Sequence, residues 1–180
     1  MTGLFGGAFD PPHNGHLALA RAAIDHFDLD RLVILVAAEP GHKLVYAPAE
    51  VRMQLAAAAF PGYDVELDPY SRTIDMLRAR AWEDPVFLVG ADQLAAFPSW
   101  KEPEAVLAQS RLGVGTRPGY MPAPPADDRI ELFDVPAVDI SSSEIRERVR
   151  AGEPIEDLVP AAVARLVEEL GIYRQRAGLH

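Results

Sequence analysis

Residues 4–16 read Leu4-Phe5-Gly6-Gly7-Ala8-Phe9-Asp10-Pro11-Pro12-His13-Asn14-Gly15-His16, an apolar start that passes through two glycines and two prolines into a helix-patterned stretch, His16 to Phe27. A strand that turns through glycine directly into a helix is the building unit of parallel α/β sheets. Gly6 and Gly7 allow the backbone to approach a ligand closely and to adopt dihedrals that a side chain forbids. The helix opening near Asn14 is expected to present unpaired N–H groups and a positive dipole end, a combination that favours phosphate. His13 and His16, three apart at that opening, can face one side and donate to one group of phosphate oxygens. Taken singly, Asn14 is an N-cap, the glycines are a turn, and one histidine near a helix start is structural. Two histidines at this spacing weaken those plainer readings.

The same alternation continues outward. Arg31 to Ala38, Pro85 to Gly90 and Arg111 to Thr116 are continuous apolar runs of the kind buried on both faces of a parallel sheet, and Val65 to Leu67 and Ile130 to Phe133 are shorter strand candidates. Between and after them, Ala49 to Phe60, Thr73 to Ala81, Pro103 to Ser110, Ser142 to Ala151 and Ala161 to Leu170 carry helical patterns. The fold class expected is therefore α/β, a largely parallel sheet with helices on both faces. Arg117 to Asp128 contains four prolines and is expected to be a surface loop.

Composition narrows the chemistry. The chain has 180 residues, no cysteine, 17 basic and 27 acidic residues, and a net charge of −10. Without cysteine there is no thiolate nucleophile, thiolate zinc site or iron–sulfur cluster. The acidic balance repels polyphosphate backbones, so no nucleic-acid partner is expected, while a small anion can still be held by a local cationic cluster. No apolar run approaches the ~20 residues of a membrane span, and residues 1–7 lack a signal-peptide pattern, so no membrane partner and a cytoplasmic location are expected. The dinucleotide fingerprint and the P-loop are both absent, and the histidine spacing is wrong for a zinc protease.

Gly-Gly-x-Phe-Asp-Pro-x-His-x-Gly-His, carried by Gly6 to His16, resembles the signature of the HxGH nucleotidylyltransferase superfamily, and its details resemble the bacterial nicotinate-nucleotide adenylyltransferases. Further motifs follow in order. Pro40-Gly41-His42-Lys43 is similar to a loop whose lysine reaches ATP phosphates, with Gly41 in place of a second proline and Val36 in place of another. Arg52 and Met53 continue the likeness. Asp68 to Leu77 is similar to a segment whose backbone recognises the nicotinate carboxylate; here Thr73 is kept, Arg72 replaces tyrosine and Met76 replaces threonine. Gly90-Ala91-Asp92 matches a segment beside the ATP adenosine, and Trp100 matches a tryptophan that stacks on the pyridine ring. Ile140-Ser141-Ser142-Ser143-Glu144-Ile145-Arg146 resembles a phosphate-binding motif in which Ser143 stands for threonine, and Val159 to Arg174 resembles the family's closing helix.

The resemblance implies a single Rossmann-like, doubly wound domain over 1–180, with a helical part at about 141–174. It implies transfer of AMP from ATP to nicotinate mononucleotide, giving deamido-NAD and pyrophosphate, with ATP as co-substrate and Mg2+ as cofactor. His13, His16, Lys43 and Arg146 then form the catalytic set. Gly6, Gly7, Ala8, Phe9, Gly90, Asp92, Ile140, Ser141, Ser142 and Ser143 contact ATP. Arg72, Thr73 and Trp100 contact the nicotinate nucleotide, and no residue is assigned as a metal ligand. Homo-oligomerisation stays open. The residues themselves add independent support: Ser141 and Glu144 have capping-box spacing, Pro160 and Gly171 bracket a helix, and Gly90 closes a strand where open parallel sheets bind ligands. The rival readings are a related adenylyltransferase acting on nicotinamide mononucleotide or phosphopantetheine, and a non-catalytic nucleotide sensor. A lone Lys43 reads as solvated surface, Arg146 as a solvated helix charge, Asp92 as an N-cap and Trp100 as core; the ordered set of motifs gives them their functional reading.

Overall fold

A computed structural model describes residues 1–41, 43–119 and 127–174. His42 and most of the proline-rich stretch expected to form a surface loop lie outside the described residues.

Among the described residues six strands make one sheet: β1 (Thr2–Gly7), β2 (Arg31–Ala37), β3 (Asp64–Asp68), β4 (Pro85–Gly90), β5 (Arg111–Thr116) and β6 (Ile130–Asp134). Their order is β3-β2-β1-β4-β5-β6, and every neighbouring pair is parallel. The helices are α1 (Asn14–Phe27), α2 (Ala49–Ala59), α3 (Thr73–Ala79), α4 (Ala91–Ala96), α5 (Pro103–Gln109), α6 (Ser142–Ala151) and α7 (Ala161–Leu170). This is the doubly wound, Rossmann-like arrangement expected from the sequence.

The period-two alternation of strands divides the core between two faces. Phe5, Ile34, Val36 and Leu88 pack with Ala20 and Ala23 of α1, Leu55 of α2 and Val163 and Val167 of α7 on one side. Leu4, Val33, Leu35, Phe87 and Val114 pack with Ile74 of α3 and Val106 of α5 on the other. Continuous apolar strands are what such two-sided burial requires.

The chain winds one way from β1 through β3, then jumps back across β1 to β4 and continues outward, so its direction of winding reverses between β1 and β4. Pairing of β1 with β2 runs on to Gly7, whereas pairing with β4 ends at Phe5 and Leu88. The carboxyl ends of β1 and β4 therefore flank a crevice at the position where open parallel sheets bind ligands.

Two features depart from the expected elements. Helix α4 and the 3-10 turn Phe97–Ser99 were not foreseen; α4 is six residues long, with Ala91 and Leu94 only partly buried against the core, too short a stretch to show a period. Gly90, not Asp92, is the N-cap of α4, and Asp92 lies exposed within its first turn.

Candidate active site

The residues of the opening motif converge at the crevice. His13 is the N-cap of α1: its Nδ1 accepts from the Gly15 N–H at 3.1 Å, and His16 Nδ1 accepts from the His13 N–H at 3.1 Å, a reciprocal capping box built from two imidazoles. An Nδ1 that accepts carries no proton, so in each neutral ring the proton sits on Nε2. The rings stack with centroids 3.8 Å apart. Burial lowers the pKa of His13 to about 4; it also holds His16 well below the ordinary histidine value, with His13 and Lys43 adding to the effect. Both are neutral donors at physiological pH.

The expected free N–H groups at the start of α1 are absent. The Asn14 N–H donates to the Leu158 carbonyl at 2.9 Å, Gly15 donates to the His13 ring, and His16 and Leu17 donate to the His13 carbonyl. Histidine is an unusual cap, and Leu158 is distant in sequence, so spacing alone did not foretell this. The two imidazole Nε2–H groups present donors in place of backbone. At α6 the expectation holds better. Ser141 caps the helix by accepting from the Glu144 N–H at 3.1 Å, and among the described residues the Ser142 and Ser143 N–H groups have no partner.

Arg146 rises from the first turn of α6. It donates to the Asp10 carbonyl at 2.7 Å and to Ser143 Oγ at 3.1 Å, and its guanidinium lies 4.3 Å from the Tyr46 ring centroid. Its buried Nε has no partner among the described residues. The Ser142 hydroxyl donates to the Pro11 carbonyl at 2.8 Å, so this serine ties α6 to the opening motif, and its backbone N–H is the group left to give. Lys43 is exposed on the loop after β2, near enough to His16 to depress that ring's pKa.

Gly6 and Gly7 end β1, and Gly90 ends β4 across the crevice. A Cβ on Gly6 would sit 3.3 Å from Phe87, and Phe87 in turn meets Trp100 edge-on with centroids 6.1 Å apart. Trp100 also packs against Phe97, centroids 5.2 Å apart, and remains partly exposed. Phe9 is 1% exposed at φ 51, locked edge-on between Phe5 and Phe60 with His16 beside it, so only its backbone faces the site. Ala8 offers its carbonyl to Arg52. Ile140 packs on the core beneath the start of α6. Arg72 is the exposed N-cap of α3 with Thr73 beside it, and Arg72 Nη1 lies 3.7 Å from where a Cβ on Gly41 would sit. The loop after β2 and the start of α3 thus meet above the sheet.

Two organising residues escaped the sequence reading. Asp10, 3% exposed, accepts from the Tyr46 N–H at 2.7 Å, the Ala47 N–H at 3.1 Å and the Tyr173 hydroxyl at 2.6 Å. Arg52, 1% exposed, donates to the carbonyls of Ala47, Ala8, Ala37 and Ala38 at 2.6–3.0 Å. Together they lock the opening motif to the loop that carries Lys43. Their place within the matched motifs was the available signal.

Comparison with known proteins finds relatives over nearly the whole chain. Residues 4–148 match the family described as Cytidylyltransferase-like. A Thermus thermophilus protein named "Probable nicotinate-nucleotide adenylyltransferase" is 42% identical over 184 residues, covering 96% of this chain and 98% of the relative. A protein of the same name from Acidothermus cellulolyticus is 35% identical over 198 residues, covering 98% and 95%. Among solved structures, the Plasmodium falciparum nicotinic acid mononucleotide adenylyltransferase complexed with NaAD superposes with a TM-score of 0.73 at 14% identity, covering 96% of both chains. That likeness is one of fold.

Proposed function

The chain belongs to the cytidylyltransferase-like family, among its nicotinate-nucleotide adenylyltransferases, and on that ground we propose that it transfers AMP from ATP to nicotinate mononucleotide, releasing pyrophosphate and forming deamido-NAD. The observation that carries this reading is the stacked His13–His16 pair, each with its proton placed on an Nε2 that has no partner among the described residues, at the crevice between β1 and β4.

In this reaction a phosphate oxygen of the acceptor attacks the α-phosphorus of ATP, and the bond to the bridging oxygen of pyrophosphate breaks. The chain supplies position and charge stabilisation rather than a nucleophile. His13 and His16 donate to the phosphate oxygens as charge develops on them. Lys43, the unused N–H groups of Arg146 and the backbone of Ser142 and Ser143 receive the leaving pyrophosphate. Gly6, Gly7 and Gly90 keep the floor of the crevice free of side chains, and Asp92 accepts from ribose hydroxyls. Arg72, Thr73 and Trp100 face the acceptor, with Arg72 adding a cation toward its carboxylate.

The groups gathered here are donors, and the carboxylate of Asp10 is already filled by three of them. Among the described residues no cluster of three or more His, Asp or Glu side chains is placed to hold a metal ion. Mg2+ carried on the phosphates of ATP would neutralise part of the polyphosphate charge, beside the donors that Lys43, Arg146 and the start of α6 supply. No helix of the described residues is long and apolar enough to cross a membrane.

The test is product formation from Mg-ATP with nicotinate mononucleotide, beside nicotinamide mononucleotide, phosphopantetheine and no acceptor. Deamido-NAD and pyrophosphate in equal amounts, with nicotinate mononucleotide preferred, is the expected result. ATP binding with no pyrophosphate from any acceptor would overturn it in favour of a nucleotide sensor.

A further inference from the structure

Tyr173 lies just beyond α7, after the left-handed Gly171, and is itself held at φ 64. A large side chain occupies that region of backbone space only where its surroundings over-determine it. The ring is 8% exposed and belongs to the core cluster that contains Val163 and Val167 of α7 and Leu55 and Ala56 of α2. Its hydroxyl leaves that apolar setting to donate to Asp10 Oδ1 at 2.6 Å, a short charge-assisted bond. Burial and the adjoining Asp10 carboxylate raise the phenol well above its ordinary pKa, so it remains a donor throughout the working range.

Asp10 passes that constraint on. The oxygen that accepts from Tyr173 also accepts from the Ala47 N–H, and the other accepts from the Tyr46 N–H. The Tyr46 ring in turn lies under Arg146, which grips the Asp10 carbonyl. Lys43 is three residues before Tyr46 on the same loop and acts electrostatically on His16. A side chain from the end of the helical part is thereby linked, through one carboxylate, to the loop and the arginine that face the phosphates.

We propose that Tyr173 is a positioning residue for adenylyl transfer: its hydroxyl fixes the Asp10 carboxylate, and through it the backbone at Tyr46 and Ala47 that brings Lys43 to the phosphate site. The assignment rests on the adenylyl-transfer reading above. The variant Tyr173→Phe keeps the ring in the core and removes only the bond. Hydrogen exchange at the Tyr46 and Ala47 amides is expected to quicken about 10-fold, because these N–H groups donate to the carboxylate that has been released. The kcat is expected to fall about 10-fold while KM for nicotinate mononucleotide stays within about 2-fold. In a Lys43→Ala background the same substitution should lower kcat by less than about 2-fold, since its effect passes through Lys43.

Amides that exchange at the wild-type rate would overturn the tether. An equal proportional loss of kcat in both backgrounds would overturn the positioning role, because general loosening of the fold is indifferent to Lys43. A wild-type chain that releases no pyrophosphate would remove the adenylyl-transfer reading and the catalytic half of this proposal, and the exchange rates would still decide the tether.

Discussion

The His13 imidazole lies so close over Gly15 that a Cβ at position 15 would sit 2.9 Å from its Cε1 and Nδ1. A rigid ring cannot yield by bending, so any side chain at this position displaces His13, breaks its bond to the Gly15 N–H and unstacks it from His16. Helix propensity pulls the other way, favouring alanine over glycine by roughly 1 kcal/mol. Gly15→Ala is therefore expected to lower turnover at least about 10-fold while the thermal midpoint moves by only a few degrees. Steady-state pyrophosphate release and a melting curve on the same sample check it.

Arg52 is a buried cation with carbonyls for partners in place of carboxylates. Four C=O groups from three segments lose their donor if it is removed, and a lysine ammonium cannot span them as the guanidinium fork does. Both Arg52→Ala and Arg52→Lys should cost about 3 kcal/mol or more in urea unfolding. A loss below about 1 kcal/mol in either variant would contradict the bonding seen here.

The two histidines make stability depend on pH in a definite direction. The unfolded chain protonates them near their ordinary value of about 6.5, whereas folded His13 resists until about 4 and His16 resists to well below its ordinary value. Below about 6.5 the unfolded state binds more protons, so their contribution is complete above that pH and is lost as pH falls. Each can contribute a slope of at most about 1.4 kcal/mol per pH unit. Urea midpoints measured from pH 7 to pH 4.5 should decline, and His13→Asn, which keeps a capping side chain, should flatten that decline.

Arg72 stands where the resemblance leads one to expect tyrosine, and its guanidinium lies beside Gly41 rather than in an ion pair among the described residues. If Arg72 faces the acceptor as proposed, its charge should favour a carboxylate over a neutral amide. Arg72→Tyr is expected to reduce the preference for nicotinate over nicotinamide mononucleotide about 5-fold or more, on the scale of one charged hydrogen bond. An unchanged kcat/KM ratio for the two acceptors would make Arg72 incidental.

Much of the fold could be read from the sequence because its physics is local or periodic. Continuous apolar runs gave the strands from Arg31, Pro85 and Arg111, and Pro160 and Gly171 bracketed α7 as their backbone preferences require. Helix α4 escaped because six residues, with only Ala91 and Leu94 partly buried against the core, are too few to show a helical period. The site was legible where its residues lie within one motif, as with His13 and His16. The roles of Asp10, Arg52 and Tyr173 were not, since each is defined by bonds to backbone or carboxylate in segments far along the chain, and no spacing rule encodes such a partner. The filled N–H groups at the start of α1 belong to the same class, with Leu158 supplying an acceptor from beyond α6.

In the proposed function, neutral imidazole donors at positions 13 and 16 stabilise an adenylyl transfer. Its most direct test is pyrophosphate release from Mg-ATP and nicotinate mononucleotide by the wild-type chain and by His16→Ala, each shown to be folded by its melting curve. Rapid release by the wild type and a loss of about 100-fold or more in the variant are expected, the scale seen when a preorganised donor to developing charge is removed. Near-equal rates in the two folded proteins would contradict it.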